Sequence, residues 1–212
     1  PSAPASSTVR TSSLRGLSYG IEILKKSVGT RPRIAFLFSG QGSQYLRMLK
    51  ELVQESPAAA AKLQEIDALM KRLGYPAFSE IAWESGSGLG TEPWPTQISM
   101  LLADVIVLSV LENSGVQPDV VAGHSYGEFP ALVAAGALTL EQAIRATRVR
   151  ADLVKSSPGG SCRLMATSAP REIAQRIVDA AGVPVHAAIQ NAPDQTILGG
   201  AQSDLDRLIH EM

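Results

Sequence analysis

The segment Gly123-His124-Ser125-Tyr126-Gly127 holds the residues best suited to chemistry in this 212-residue chain. Its Gly-x-Ser-x-Gly pattern is typical of a nucleophilic serine on a sharp turn between a strand and a helix. Glycines two residues before and after the serine let strand and helix approach closely, while the Ser125 Oγ stays exposed. An apolar strand precedes the motif and an apolar helix follows it. The sequence therefore predicts Ser125 as a nucleophile, with an ordinary Gly-Ser turn as the alternative.

A second glycine-rich turn, Ser39-Gly40-Gln41-Gly42-Ser43-Gln44, follows the apolar run from Ile34 to Phe38. Its two glycines free the main chain of Gln41 to approach a ligand. The N–H of Gln41 is therefore a candidate oxyanion donor beside the N–H of Tyr126. A phosphate-binding loop is the competing interpretation, but the segment lacks both the lysine of a P-loop and the third glycine of Gly-x-Gly-x-x-Gly.

Arg150 falls on the inward face of a predicted helix. Ala143, Thr147, Arg150 and Val154 recur at helical spacing, which places the guanidinium on a mostly apolar side. A buried guanidinium needs an anion, supplied either by a protein carboxylate or by a substrate carboxylate that fits its planar fork. Periodicity alone slightly favours the structural ion pair and leaves the substrate clamp open.

A serine nucleophile needs a base, usually a histidine, and the chain has three histidines. His124 adjoins Ser125, where alternating side-chain directions point it away from the reactive side of the serine. His186, in a predicted strand, and His210, in the last helix, are typical of surface or structural histidines. None of the three is a convincing base.

The elements that must position these residues alternate between strand and helix, which predicts an α/β fold. Residues 1–30 are rich in Ser, Pro and Gly and indicate a linker or arm. Residues 31–156 form a first unit, whose strand Ile34 to Phe38 we expect to be central, parallel and buried on both faces. Its helices are predicted from Ser56 to Leu73, from Gln97 to Asn113, from Phe129 to Ala135, and from a capping box at Thr139 and Gln142 to Ser156.

The pattern of predicted elements in residues 157–212 differs from that of the first unit, and a hinge at 157–160 separates the two. The predicted order is strand, helix, strand, strand, helix: 162–167, 170–181, 185–190, 195–198 and from Ser203 onward. This order is five-sixths of a ferredoxin-like unit. A final strand is missing from the pattern.

Composition excludes several function classes. The formal net charge is −1, so neither nucleic acid nor an acidic membrane is the expected partner. The single cysteine, Cys162, can form neither an internal disulfide nor a multi-cysteine zinc site, and we expect no metal. The apolar stretch from Ile98 to Leu111 is interrupted by Asp104 and is shorter than a membrane span. We expect a soluble, cytoplasmic protein, and the start at Pro1 without a signal peptide suggests an excised piece.

Together these motifs resemble the acyltransferase family of malonyl-CoA:acyl carrier protein transacylases and the acyltransferase domains of polyketide and fatty acid synthases. The matching segments keep the order of the family and span about residues 33–200. They are Phe36 to Gln44, Thr96-Gln97, Gly123 to Glu128, Arg148 to Ala151, and Asn191 to Gln195.

The resemblance implies an α/β-hydrolase-like large subdomain with a parallel sheet and a ferredoxin-like small subdomain, here incomplete. It implies that Ser125 takes a malonyl-type group from CoA and passes it to the phosphopantetheine thiol of an acyl carrier protein, with no resident cofactor. Gln41 and Tyr126 would form the oxyanion hole, and Arg150 would hold the substrate carboxylate. His124, Gln97, Asn191 and Gln195 would line the site. Adjoining synthase domains, a ketosynthase among them, are further expected partners.

The chain departs from the family at three points. Tyr126 occupies a position that is usually aliphatic, and Arg47 stands where the family often has glycine. The catalytic histidine of the family lies in a segment that would follow Met212, so we expect this chain to be an N-terminal portion that transfers malonyl groups poorly by itself. Two other functions stay open: a serine esterase of the α/β-hydrolase type, and a non-catalytic fragment that docks a carrier protein.

Overall fold

Two separate apolar cores divide the part of the chain that the computed structural model describes, which is residues 32–156 and 162–211. We call these ranges the N-terminal part and the C-terminal part. The predicted arm at 1–30 and the predicted hinge at 157–160 lie outside the described residues.

The N-terminal part contains two strands and six helices. In chain order they are β1 (Ala35–Phe38), α1 (Lys50–Glu55), α2 (Pro57–Arg72), α3 (Phe78–Trp83), α4 (Pro93–Asn113), β2 (Val120–Gly123), α5 (Glu128–Ala134) and α6 (Leu140–Ser156). A 3-10 turn, Ser125–Gly127, joins β2 to α5. The alternation of strand and helix agrees with the predicted α/β class.

The C-terminal part contains the predicted order of elements. They are β3 (Cys162–Thr167), α7 (Arg171–Ala181), β4 (His186–Ala192), β5 (Gln195–Ala201) and α8 (Gln202–Glu211). The three strands form an antiparallel sheet in the order β3-β5-β4. Apolar residues of α7, α8 and the sheet, such as Val178, Leu208 and Leu198, form one core.

Helix caps predicted from the sequence are present where they were expected. The Ser56 hydroxyl accepts a hydrogen bond from the N–H of Ala59 at the start of α2. At the start of α6, the N–H of Thr139 donates to Gln142 Oε1, and the N–H of Gln142 donates to Thr139 Oγ1. Each cap satisfies N–H groups that have no partner within the helix.

Strands β1 and β2 pair in parallel, with Ala35 opposite Val120 and Phe38 opposite Gly123. The prediction that the first strand is central and buried on both faces is wrong for the described residues, since Leu37 is 80% exposed and Val120 is 50% exposed. The sheet here has two strands only. A run of apolar residues indicates a strand suited to burial, but burial also needs neighbouring strands and covering helices.

Helix α4 runs through the core of the N-terminal part. It begins at Pro93, four residues earlier than predicted, because proline is well tolerated in the first turn of a helix. At 21 residues it is long and apolar enough to cross a membrane, contrary to the sequence-based expectation, but 72% of its most apolar window is buried inside the protein. That burial is typical of a core helix: Ile98 and Leu102 belong to the core, and α4 contacts α2, α3 and α6.

The sequence did not predict the short helices α1 and α3. Before α1, Arg47 has a φ of 65°, in the left-handed region that favours glycine. This backbone conformation gives a physical reason for the glycine that the family often has at this position. The N–H of Arg47 donates to the carbonyl of Ala82 in α3, which ties the turn to the core.

Candidate functional site

Ser125 lies on a tight turn between β2 and α5, as the motif predicts. Its φ is 54°, a left-handed conformation that is strained for any residue with a Cβ. A Cβ added to Gly123 would lie 2.2 Å from the carbonyl oxygen of Gly127, and one added to Gly127 would lie 2.2 Å from that of Phe38. Only glycine fits at either position. The Ser125 side chain is exposed, as a nucleophile requires.

The turn that contains Gln41 lies directly against this serine turn. A Cβ added to Gly40 would lie 2.7 Å from the carbonyl oxygen of His124 and 3.1 Å from Ser125 Cβ. The loop satisfies several of its own polar groups, because the N–H of Gly42 donates to Gln44 Oε1. The main chain just before Gln41, at Gly40, therefore comes close to Ser125, where an oxyanion donor is needed.

Gln97 meets Gln41 from the first turns of α4. Its Nε2 donates to Gln41 Oε1 at 3.4 Å, and its own Oε1 is buried without a hydrogen-bond partner. Gln97 is only 3% exposed. The predicted lining role therefore fits its position, since α4 holds it beside the Gln41 turn.

Arg150 differs from the neighbouring arginines of α6. Arg145 donates to Glu141, and Arg148 donates to Asp152 at 2.7 and 2.9 Å. Arg150 has no salt bridge to any carboxylate within residues 32–156 and 162–211, and its Nη1 is buried without a hydrogen-bond partner. The described residues thus supply no structural ion pair, the alternative that periodicity slightly favoured.

The Arg150 guanidinium makes a cation–π contact with the ring of Tyr126, since its Cζ lies 5.9 Å from the ring centroid. The ring also stacks on Phe129 at 5.2 Å, and the Tyr126 hydroxyl lies 2.7 Å from Thr147 Oγ1. Burial, the largest influence, raises the pKa of Tyr126, so the phenol stays neutral. Sequence reasoning noticed Thr147 only as a member of the inward face and gave Phe129 no role.

Asp104 is a buried acid in α4 that the sequence showed only as an interruption of an apolar run. Its Oδ2 is buried without a hydrogen-bond partner, and burial raises the pKa of this carboxyl to about 7. A negative charge on Asp104 also contributes, as the smallest of the named causes, to the raised pKa of Tyr126. Around neutral pH a substantial fraction of Asp104 is therefore uncharged.

His124, Asn191 and Gln195 form a chain of hydrogen bonds from the serine turn to the C-terminal part. His124 Nε2 lies 2.9 Å from Asn191 Oδ1, and Asn191 Nδ2 donates to Gln195 Oε1 at 3.2 Å. All three side chains are exposed. The structure therefore brings Asn191 and Gln195 beside the serine turn, although they are separated from it by more than 60 residues.

No histidine of the described residues hydrogen-bonds to Ser125. His186 and His210 are exposed in the C-terminal part, and His124 is bonded to Asn191. Residues 32–156 and 162–211 also hold no group of three or more acidic, histidine or cysteine side chains that could bind a metal ion.

A groove of about 510 Å³ lies elsewhere, between the segment Gln44 to Leu46 and the loop at 84–91. None of the predicted site residues lines it. Its loop holds Gly86, Gly88 and Gly90 at positive φ, and of its lining residues only Gln44 belongs to a motif described above. The site around Ser125 is therefore defined by the convergence of two turns and Arg150, not by this groove.

Comparison with protein families gives one match over most of the chain. The model of a family described as "Acyl transferase domain" matches residues 35–212. The malonyl CoA-acyl carrier protein transacylase of Bacillus subtilis is 32% identical over 180 residues, which cover 82% of this chain and 55% of that protein.

Larger synthases and solved structures also match. The phenolphthiocerol synthesis polyketide synthase type I Pks15/1 of Mycobacterium marinum is 31% identical over 185 residues, or 87% of this chain and 9% of that protein. The structure of PlMCAT:AntF, a type II polyketide synthase acyl carrier protein in complex with its malonyl-transacylase, matches with a TM-score of 0.72 and 29% identity, over 83% of this chain and 57% of that one. The chain thus spans little more than half of the Bacillus protein and of the solved transacylase.

Proposed function

The chain belongs to the acyl transferase domain family, and we propose that it moves a malonyl-type acyl group from CoA to the phosphopantetheine thiol of an acyl carrier protein. The acyl group would be held on Ser125 as an ester, within polyketide or fatty acid biosynthesis. The observation that carries this proposal is the buried, unpartnered Nη1 of Arg150. A guanidinium without a protein carboxylate is suited to the free carboxylate of a malonyl group.

The first half of the reaction forms the acyl-serine. Ser125 Oγ attacks the thioester carbonyl carbon, and the electron pair of the C=O bond moves to its oxygen. Main-chain N–H groups of Gln41 and Tyr126 stabilise this oxyanion, at about 3 kcal/mol per donor. When the carbonyl re-forms, the C–S bond breaks and CoA leaves as the thiol, taking the proton that Ser125 gave to a base.

The second half reverses these roles. The phosphopantetheine thiol attacks the acyl-serine carbonyl, the C–O bond to Ser125 breaks, and the serine recovers its proton. The family resemblance implies a histidine as this base. Asn191, Gln195 and His124 support the site wall, since they join the serine turn to the C-terminal part through hydrogen bonds.

The finer architecture is also part of the proposal. We assign 31–156 to an α/β-hydrolase-like subdomain, supported by the parallel β1-β2 pair and the turn at Ser125. We assign 157–212 to a ferredoxin-like subdomain, supported by the strand order β3-β5-β4. The transacylase solved with its carrier protein supports a carrier partner, and the match to part of a long synthase supports adjoining domains such as a ketosynthase. A cytoplasmic location is consistent with the single, unpaired Cys162.

Mass spectrometry of the chain after incubation with malonyl-CoA or acetyl-CoA tests the proposed function. We expect a malonyl adduct on Ser125, absent in Ser125→Ala and strongly reduced in Arg150→Ala. Arg148→Ala is the matched control, since this arginine lies on the same helix but is paired with Asp152; its labelling should stay close to that of the unaltered chain.

The two alternative functions give different results. A serine esterase would take malonyl and acetyl groups equally and lose them to water regardless of Arg150. A docking fragment would bind a carrier protein tightly in both the unaltered chain and Ser125→Ala, with no acyl-serine even when the C-terminal segment of a related transacylase is added as a separate polypeptide. Either pattern would replace the transferase proposal.

A further inference from the structure

Tyr126 is held rigidly behind the Ser125 turn. The residue is 2% exposed, and its ring stacks on Phe129 with an angle of 19° between the planes. Thr147 Oγ1 donates its single proton to the carbonyl of Ala143. The Tyr126 hydroxyl must therefore be the donor in its 2.7 Å contact with Thr147. The usual aliphatic residue could make neither the hydrogen bond nor the aromatic stack.

Arg150 lies one helical turn after Thr147, on the same face of α6. The ring of Tyr126 contacts its guanidinium, and such cation–π contacts are strongest when they are desolvated. A carboxylate partner would occupy the edge of the guanidinium and use its N–H donors. A ring contact uses none of these N–H donors, so it can hold the group while leaving the donors available to an anion. The unpartnered Nη1 is one such donor.

Tyr126 also follows Ser125 directly in the chain. Its main chain belongs to the strained turn at Ser125, while its ring contacts Arg150. One residue thus connects the nucleophile to the cation. In a malonyl thioester one methylene separates the carbonyl from the carboxylate, so a fixed spacing between Ser125 and Arg150 selects for this class of acyl group.

We propose that Tyr126 is a positioning residue that orients the Arg150 guanidinium and so determines the preference for acyl groups that end in a carboxylate. The inference rests on the proposed function, because it assigns a substrate carboxylate to Arg150. If Tyr126 only filled space in the core, its loss would weaken the binding of carboxylated and neutral acyl groups alike.

The test measures dissociation constants for malonyl-CoA and acetyl-CoA by titration calorimetry on the full 212-residue chain. Ser125→Ala serves as the background, so that no acyl group is transferred during the measurement. The readout is the ratio of the two constants. We expect a malonyl preference of about tenfold or more in this background, from the charge-assisted bonds to Arg150.

Variants of Tyr126 separate the two contacts. Tyr126→Phe keeps the ring and loses the bond to Thr147, so the ratio should fall about threefold; Thr147→Val should have the same effect. Tyr126→Leu also removes the ring, and the ratio should fall about tenfold. In an Arg150→Ala background Tyr126→Leu should change the ratio no further. Tyr45→Phe, on an exposed tyrosine, is the control.

The outcomes distinguish the role of Tyr126 from the proposed function on which it rests. An unchanged ratio in all three variants, with the preference still abolished by Arg150→Ala, would overturn the role of Tyr126 and leave the proposed function standing. Equal binding of the two thioesters in the Ser125→Ala background, with no effect of Arg150→Ala, would overturn both. If Tyr126→Leu does not fold, as judged by circular dichroism, Tyr126→Phe and Thr147→Val decide the matter.

Discussion

The two parts of the chain use their strands differently. In the C-terminal part, Val185, Ala187 and Leu198 of the sheet region join Val178 and Leu208 of the helices in one core. In the N-terminal part the core consists of helices and the turn before α1, and from the β1-β2 region it includes only Tyr126. Phe38 is the one buried side chain of β1 and β2, so the strands that carry the site are positioned mainly by close main-chain contacts. Substitutions should consequently act differently in the two parts.

Gly127→Ala should have the largest effect on stability. Its Cβ would lie 2.2 Å from the carbonyl oxygen of Phe38, so β1 and the serine turn must separate, at a cost of about 3 kcal/mol or more. Urea unfolding checks this: tryptophan fluorescence follows the N-terminal part, which holds both tryptophans of the chain, Trp83 and Trp94, and far-UV circular dichroism of the same samples also follows the C-terminal part.

Gly199→Ala in β5 is the matched control for that substitution. Its Cβ would make an ordinary contact, 3.4 Å from Leu164 Cδ2, and the C-terminal sheet should accept it with a change below about 1 kcal/mol. Equal losses of stability from the two alanine substitutions would contradict the contrast between the two parts.

Asp104→Asn should have the next largest effect on stability, and this effect should appear only near and above neutral pH. The pKa of Asp104 is raised from 3.8 to about 7 by burial in the folded chain. Between these values the folded state binds more protons than the unfolded state, so stability falls as pH rises from about 4 to beyond 7. The variant removes this loss and should be about 1–3 kcal/mol more stable than the unaltered chain at pH 8.

The same variant should differ little from the unaltered chain at pH 4, where Asp104 is protonated in the folded state. Urea titrations at both pH values, again by tryptophan fluorescence, give the comparison. A stability difference that is the same at pH 4 and pH 8 would show that Asp104 does not titrate as its burial indicates.

Ser125→Gly should stabilise the chain relative to Ser125→Ala by about 1 kcal/mol. Both variants lose the hydroxyl, but only alanine keeps a Cβ at a φ of 54°. Thermal unfolding by circular dichroism measures the difference. Equal melting temperatures would mean that the turn is not under strain at this residue.

Asn191→Ala should have the smallest effect on stability. It removes hydrogen bonds between exposed side chains that join the two parts, and we expect a loss of about 0.5 kcal/mol. Gln195→Ala, which leaves the bond between His124 and Asn191 intact, is its control. A loss of several kcal/mol from Asn191→Ala would show that the two parts stabilise each other far more than their separate cores suggest.

Much of the fold could be predicted because its signals are local. Ser56, Thr139 and Gln142 mark helix starts through contacts three residues away. Helix α3, in contrast, has six residues, too few for a periodic pattern. It depends on packing against α4 and on Asp67, which accepts a hydrogen bond from the N–H of Phe78. The prediction that β1 is buried was wrong for the same reason, because the burial of a strand depends on neighbours that are distant in sequence.

In the candidate site, too, local patterns predict some residues, while contacts between distant segments are not predictable from the sequence. Ser125 follows from a five-residue motif, and the inward direction of Arg150 follows from helical spacing. Spacing cannot say whether a carboxylate faces that arginine, because the answer depends on which helices pack together. The bond between Tyr126 and Thr147 spans 21 residues, and the bond between His124 and Asn191 spans 67; neither leaves a sequence pattern.

The two sides of the candidate site differ in how firmly they are held. The hydrogen bond between His124 and Asn191 is weak and exposed, whereas the Ser125 turn is fixed by close main-chain contacts. Water can replace either exposed partner, so breaking this hydrogen bond costs only about 1 kcal/mol. The serine turn, fixed by glycines that admit no side chain, keeps its geometry when this bond breaks. One side of the candidate site is therefore easily displaced, while the Ser125 turn presents the same surface throughout.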